Sequence, residues 1–309
     1  MSICVHRNLQ GPPLSERGCV MTMGAFDGLH RGHQALISTV VAQARQAQLD
    51  SLVVTFTPPP RALFQPAQTL QLMALHDRLV GLQRLGVDRV LLLRFGHALA
   101  RMTAEDFAAQ LKQRSNAQSA HFGPGFRFGR QRAGDLSTLN QAGIATNELV
   151  PLLDQGEAVS SSRVRAAVIA GDFAQAQALL GRPYAYSGKV VRGKQLGRKL
   201  GFPTANLRWP SKTMSFSGIF AVWVNGAGLT RHPGVASLGM RPTVGGTEPL
   251  LEVHLLDFDG DLYGKRLELE FVAKQRDEWH LDGLDALKAQ IEKDAVEART
   301  HLAAARSPE

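Results

Sequence analysis

The sequence predicts an α/β chain in two parts: a parallel, doubly wound sheet first, then an antiparallel β-barrel with a terminal helix. Three observations carry this. Short apolar runs alternate with stretches of helical period through the first 180 residues, the rhythm of repeated β-α-β units. After Gly181-Arg182-Pro183 the rhythm changes to glycine-punctuated strands without intervening helices. The chain of 309 residues is long enough for two cores. A boundary near 180–186 divides it into 1–182 and 183–309.

In the first part, Cys19-Val20-Met21-Thr22-Met23 and the runs 52–56, 90–95 and 148–152 read as strands. Between them, 33–48 carries apolar residues at 36, 37, 40, 41 and 44, and 74–85 and 103–114 have the same period. These are amphipathic helices. Thr103, with Asp106 three residues on, is an N-cap with a first-turn acid, and Gly86 closes the preceding helix. In the second part, 189–192, 219–224, 251–255 and 267–272 read as strands that close into a barrel. Gly239-Met240-Arg241-Pro242-Thr243 reads as a turn. A helix over 284–302, apolar at 284, 287, 291 and 295, should pack one face on the barrel.

Composition is that of a soluble globular chain, 44% hydrophobic and 20% charged. Its opening stretch is broken by His6, Arg7, Pro12, Pro13 and Arg17, so neither a signal peptide nor a membrane span is expected. The cytoplasm is the expected compartment. Cys4 and Cys19 lack ligand or disulfide spacing. The net charge of +8 is compatible with nucleic acid, an anionic surface or phosphorylated small molecules. Local basic clusters occur only at 127–132 and 192–199, both interleaved with glycine. That pattern suits loops meeting phosphates, so small-molecule partners are expected, with no nucleic acid and no membrane. The oligomeric state is not legible.

The first chemical constellation is Gly24-Ala25-Phe26-Asp27-Gly28-Leu29-His30-Arg31-Gly32-His33, where a strand ends and a helix begins. Ligands of open α/β sheets sit there. Glycines admit phosphate to the backbone, the helix N-terminus attracts anions, and two histidines can donate to phosphoryl oxygens as charge develops. Met alone, the same HxGH is equally compatible with two histidines decorating a turn. Ser160-Ser161-Ser162-Arg163-Val164-Arg165 adds hydroxyls that can cap a helix and arginines that can grip phosphate. Alone, it would be an ordinary capped helix.

The second constellation runs from Gly188-Lys189-Val190-Val191-Arg192-Gly193 through Gly197-Arg198-Lys199-Leu200-Gly201 into Phe202-Pro203-Thr204-Ala205-Asn206. A glycine-rich basic loop holding Gly193 and Lys199 can wrap a triphosphate, while Thr204 and Asn206 offer oxygens to Mg2+. It lacks Walker spacing. Glu252 lies in Leu251-Glu252-Val253-His254-Leu255, where alternation alone makes Glu252 and His254 solvent-facing.

Taken together, the GxFDGxHxGH stretch, Phe126-Arg127-Phe128-Gly129, the SSSRVR run and Gly201-Phe202-Pro203-Thr204-Ala205-Asn206 resemble bacterial bifunctional riboflavin kinase/FAD synthetase, in order and spacing, over residues 20–297. The resemblance implies an N-terminal HxGH nucleotidyltransferase, Rossmann-like, that transfers AMP from ATP to FMN to give FAD. It implies a C-terminal barrel that phosphorylates riboflavin to FMN. Both reactions would require Mg2+. His30 and His33 would be catalytic, with Gly24, Phe26, Ser161, Arg163 and Arg165 on ATP and Phe126 and Phe128 near the flavin. In the barrel, Glu252 would be the base, Thr204 and Asn206 the metal residues, and Arg276 a flavin contact. The chain departs from the family pattern at Phe56-Thr57-Pro58-Pro59-Pro60, with Pro59 in place of histidine, and at Pro124-Gly125, where an acid is usual. Two other readings stay open: a riboflavin kinase with a weakened transferase half, and a basic nucleic-acid-binding or flavin-sensing protein without turnover.

Overall fold

The computed structural model describes residues 3–64, 70–193, 197, 201–209, 216–243, 246–279 and 283–305, with side chains outside 241–248. The chain forms two compact units: Met1–Gln65 with Leu75–Ser160, and Pro66–Ala74 with Ser161–Glu309.

The first unit is built on six parallel strands, β1 (Cys4–His6), β2 (Cys19–Met23), β3 (Asp50–Thr57), β4 (Arg89–Arg94), β5 (Ala117–Phe122) and β6 (Ala145–Glu148), in the order β1-β4-β3-β2-β5-β6. The chain winds from β2 through β3 to β4 on one side and returns to place β5 on the other. The β2–β5 boundary is therefore the topological switch point, where such sheets bind ligands. Helices are α1 (Arg31–Gln46), α2 (Pro60–Phe64), α3 (Leu75–Arg84), α4 (His97–Arg101), α5 (Ala104–Ser115) and α6 (Leu136–Gln141). Met21, Leu52, Leu91 and Phe122 bury one sheet face against Phe107 and Leu111 of α5. Burying side chains of this size contributes about 1.5–3 kcal/mol each. On α1 the buried stripe is Ile37, Val40, Val41 and Ala44, with Val40 and Ala44 packed on Val20. A hairpin of β7 (Leu153–Asp154) and β8 (Glu157–Ala158) closes the unit.

Local chemistry explains the helix ends. Thr103 caps α5 by accepting the Asp106 N–H, as its sequence spacing predicts, and Asn116 ends the helix at φ 51°. Asp135 and Thr138 form a reciprocal capping box on α6.

The second unit opens with α7 (Ser161–Ala170) and α8 (Phe173–Leu180), followed by a closed antiparallel barrel. Its strands are β9 (Ala185–Val191), β10 (Thr204–Arg208), β11 (Gly218–Gly226), β12 (Leu229–Thr243), β13 (Gly246–Leu255) and β14 (Arg266–Arg276), in the order β10-β13-β12-β11-β14-β9. Phe173 of α8 meets Phe220 and Phe271 at 6.1 and 5.7 Å between ring centroids. The terminal helix α9 (Leu284–Ala304) lays Ala298 and Leu302 on Ala221 and Trp223 of β11.

The fold class matches the sequence expectation, with local differences. The run 148–152 is not a strand; the pairing segment lies three residues earlier, at Ala145–Glu148. Strand β5 has no counterpart among the strands the sequence predicts. The expected turn at 239–243 continues β12, paired residue by residue with β13 from Gly239↔Leu250 to Thr243↔Gly246. On α9 the expected face does pack on the barrel, with Leu287, Ile291 and Ala295 half-buried beside the buried Asp294, Ala298 and Leu302, and only Leu284, 66% exposed, departs from it.

Candidate functional site

In the first unit the loop joining β2 to α1 crosses the switch point with Phe26 at φ 48° and Leu29 at φ 44°, left-handed conformations that cost about 1–3 kcal/mol each in non-glycine residues. Both side chains are buried, which offsets that strain. Strain that the surroundings over-determine is typical of ligand loops. Two glycines make room for rings: a Cβ on Gly24 would lie 3.1 Å from the Phe26 ring, and one on Gly32 would lie 3.2 Å from His30 Nδ1.

His30 is the N-cap of α1, its Nδ1 accepting the His33 N–H at 3.3 Å. The imidazoles of His30 and His33 stack with centroids 3.6 Å apart and planes 21° from parallel. Phe26 meets His33 edge-on at 5.1 Å. The structure thus brings together Gly24, Phe26, His30 and His33 at a helix N-terminus, where the positive end of the helix dipole favours an anion.

Phe126 and Phe128 occupy less open ground. Phe126 stacks on Phe122 at 4.0 Å, and Phe128 is buried beside Phe107. Pro59 precedes α2, and Gly125 has φ 66°, with open space where a Cβ would sit. Ser161, Arg163 and Arg165 lie on the first turns of α7 in the second unit, where Arg165 Nε donates to the Leu70 carbonyl at 2.8 Å.

In the barrel, Ala205, Leu207, Leu251 and Val253 are buried, so Thr204, Asn206, Glu252 and His254 share the opposite, outer face of β10 and β13. The register sets Asn206 beside Glu252 and Thr204 beside His254. Thr204 Oγ1 donates to Glu252 Oε1 at 3.4 Å. Asn206 is 5% exposed, and its Oδ1 has no hydrogen-bond partner among the described residues. A Cβ on Gly193 would sit 2.5 Å from that oxygen, so only glycine lets the loop backbone rest against Asn206. Lys199 lies outside the described residues.

Among the described residues no cluster of three His, Cys, Asp or Glu could hold a metal. A hydroxyl, an orphaned buried amide oxygen and a carboxylate form a different donor set. It suits Mg2+, which keeps several waters and takes few protein oxygens beside substrate phosphates.

Arg276 ends β14 and is clamped by Asp294 of α9 at 2.9 and 2.6 Å, with its guanidinium 4.6 Å from the Trp279 ring. Two residues on, Glu278 covers the outer face of β12 at Gly239, where a Cβ would collide with its carboxylate. Burial pushes Glu278 above the usual carboxylate range against the opposing pull of the Met240 N–H and Arg276. Sequence reasoning misses Glu278, and it misses Arg78 of α3. Arg78 is 2% exposed and shares a buried face with Leu82. Its one sequence signal is a cation inside an apolar stripe.

Comparison with known proteins agrees with this geometry on both units. The FAD synthetase family model matches residues 13–163, and the riboflavin kinase model matches residues 180–302. The bifunctional riboflavin kinase/FMN adenylyltransferase of Escherichia coli (strain K12) is 40% identical over 96% of this chain and 95% of its own length. That of Pseudomonas fluorescens is 40% identical over 95% and 96%, and that of Haemophilus influenzae 35% over 92% and 94%. A crystal structure from Streptococcus pneumoniae, described as a macrolide-efflux protein, is 30% identical with a TM-score of 0.76 and covers 96% of this chain and 99% of its own. No described helix here is long and apolar enough to cross a membrane. Two domain matches in the observed order, with relatives 35–40% identical over more than nine tenths of both chains, place the chain in the bifunctional riboflavin kinase/FMN adenylyltransferase family.

Proposed function

We infer that this protein phosphorylates riboflavin to FMN with ATP, then adenylylates FMN to FAD with release of pyrophosphate. The observation that carries this reading is that each family match contains its own chemically apt cluster: His30–His33 within 13–163, and Thr204–Asn206–Glu252 within 180–302.

We assign phosphoryl transfer to residues 183–309. Glu252 is the base that orients and deprotonates the ribityl hydroxyl, within reach of the Thr204 hydroxyl that positions its carboxylate. Gly193 and Lys199 are assigned to the ATP phosphates, and Arg276 to the flavin. Thr204 Oγ1 and Asn206 Oδ1 would hold Mg2+. When bound, the ion neutralises phosphate charge and helps align the γ-phosphoryl group.

Adenylyl transfer is assigned to residues 1–182. FMN brings its own anionic nucleophile, so this half needs alignment and charge stabilisation rather than a covalent intermediate. His33 and His30 donate to phosphoryl oxygens as the α-phosphate becomes five-coordinate. His30 Nδ1 is occupied as an acceptor, so its neutral ring carries the proton on Nε2. Gly24, Phe26, Ser161, Arg163 and Arg165 are assigned to ATP, and Phe126 and Phe128 to the flavin side. The cytoplasm is the proposed compartment.

The test is a chromatographic time course with riboflavin, ATP and Mg2+. FMN followed by FAD is expected. FMN that never becomes FAD would refute the adenylyl-transfer assignment, and absence of both products would refute the reading.

A further inference from the structure

Helix α3 carries none of the assigned site residues, yet it grips the β2–α1 loop at two points one turn apart. Arg78 Nη1 donates to the Ala25 carbonyl, and Nη2 donates to the Phe56 carbonyl at 2.9 Å. The Thr55 hydroxyl, wholly buried, also donates to the Ala25 carbonyl at 3.2 Å and lies 3.4 Å from Arg78 Nη1. Three residues on, Gly81 leaves room for Leu29, whose Cδ1 lies 2.4 Å from the place a Cβ would take.

A fully buried guanidinium is costly unless its donors are used. Burial pulls the Arg78 guanidinium below its usual range, and the Asp27 carboxylate opposes that shift. Here two of its nitrogens serve backbone carbonyls where β2 and β3 end. A peptide is planar, so directing the Ala25 carbonyl toward α3 directs the Phe26 N–H the opposite way. The same peptide sets Phe26 in its left-handed conformation, with its ring edge on His33 at 5.1 Å. His33 in turn stacks on His30 at 3.6 Å. A continuous line of contacts therefore runs from Arg78 through Ala25 and Phe26 to both imidazoles.

We propose that Arg78 is a positioning residue for adenylyl transfer: with Thr55, it locks the Ala25–Phe26 peptide and so holds His33 against His30 in the reactive arrangement. This rests on the assignment of adenylyl transfer to the first half. Because Arg78 acts on geometry rather than on bound nucleotide, its loss should fall on kcat and leave KM for ATP nearly unchanged. A misplacement near 1 Å is worth about 10²-fold in rate.

The experiment compares Arg78→Met, Arg78→Lys, Thr55→Val and His33→Ala in the full chain, measuring FAD formation from FMN and ATP and, separately, FMN formation from riboflavin. Arg78→Met should lower kcat for FAD formation about 10²-fold with KM for ATP within about twofold. Arg78→Lys keeps the charge and one carbonyl contact, and should recover about tenfold of that loss. Riboflavin phosphorylation should stay within about twofold throughout, as expected of a separate site. Full kcat in Arg78→Met overturns the proposal, as does a folded Arg78→Lys no better than Arg78→Met. Should Arg78→Met fail to fold, Thr55→Val decides: a kcat loss of about threefold or more supports the lock, and wild-type kcat overturns it. If His33→Ala still makes FAD at the wild-type rate, the adenylyl-transfer assignment fails. Loss of FAD formation in His33→Ala beside a wild-type Arg78→Met sinks the role of Arg78 alone.

Discussion

His30 is at once the cap of α1 and the face on which His33 stacks: Nδ1 takes the His33 N–H at 3.3 Å while the rings lie 3.6 Å apart. The two roles separate by substitution. Asparagine can still cap a helix but lacks the Nε2 donor. His30→Asn should therefore keep the thermal transition while lowering FAD formation about 10²–10³-fold, the cost of one lost charge-stabilising donor. His30→Ala should add about 1 kcal/mol of destabilisation. Calorimetry beside the FAD assay checks both, and equal stability loss in the two variants would contradict the capping role.

Gly193 tests the kinase strip without touching a catalytic side chain. A Cβ there would meet Asn206 Oδ1 at 2.5 Å, forcing the amide or the loop to move. Gly193→Ala should lower riboflavin phosphorylation by about 10²-fold and leave FAD formation from supplied FMN unchanged. An unaffected kinase would show that the contact between Gly193 and Asn206 is not needed.

Much of this is legible in the sequence, and the misses have physical causes. Strands β2, β3 and β4 are buried on both faces, so they read as continuous apolar runs. β5, AQSAHF, has Phe122 as its one large buried apolar residue; its other buried positions are Ala117 and Ala120, which carry little hydrophobic signal, and His121, whose charge burial disfavours. β6 is an edge strand of Ala, Thr, Asn and Glu, so the apolar run just after it reads as the strand instead. Gly239 and Pro242 signal a turn, but β12 runs on through both, with Glu278 filling the space over the glycine. The apolar period of α9 gives its packed face, but not Asp294, a carboxylate buried on that face by its pairing with Arg276. The HxGH loop and the PTAN strand are visible as motifs. Arg78 is not, because a cation's burial depends on carbonyl partners in the β2–α1 loop and β3 that periodicity does not reveal.

Asp50 gives the fold a pH dependence. Burial raises its pKa, but hydrogen bonds and ion pairs with Arg17 and Arg89 outweigh this and hold it below the usual carboxylate range. A carboxyl depressed in the folded state stabilises above its unfolded value, about 3.9, and loses that contribution as pH falls through the folded value. Asp50→Asn should cost about 1–2 kcal/mol at pH 7, and the gap from wild type should close on acidification below about pH 4. Urea unfolding at several pH values measures it; a gap independent of pH would contradict the ionic account.

The cysteines should differ in reactivity. Burial pushes the Cys19 thiol up to about 12, whereas Cys4 is exposed. A disulfide-exchange reagent at pH 8 should modify Cys4 alone in the native protein and both thiols in denaturant. Rapid native labelling of Cys19 would mean that β2 opens readily.

The central claim is that two separate sites act in sequence on one flavin, and crossed variants test it most directly. With riboflavin, ATP and Mg2+, His33→Ala should accumulate FMN and make no FAD. Glu252→Ala should make neither product from riboflavin, yet convert supplied FMN to FAD at the wild-type rate. A folded variant of either residue that loses both activities would contradict the account.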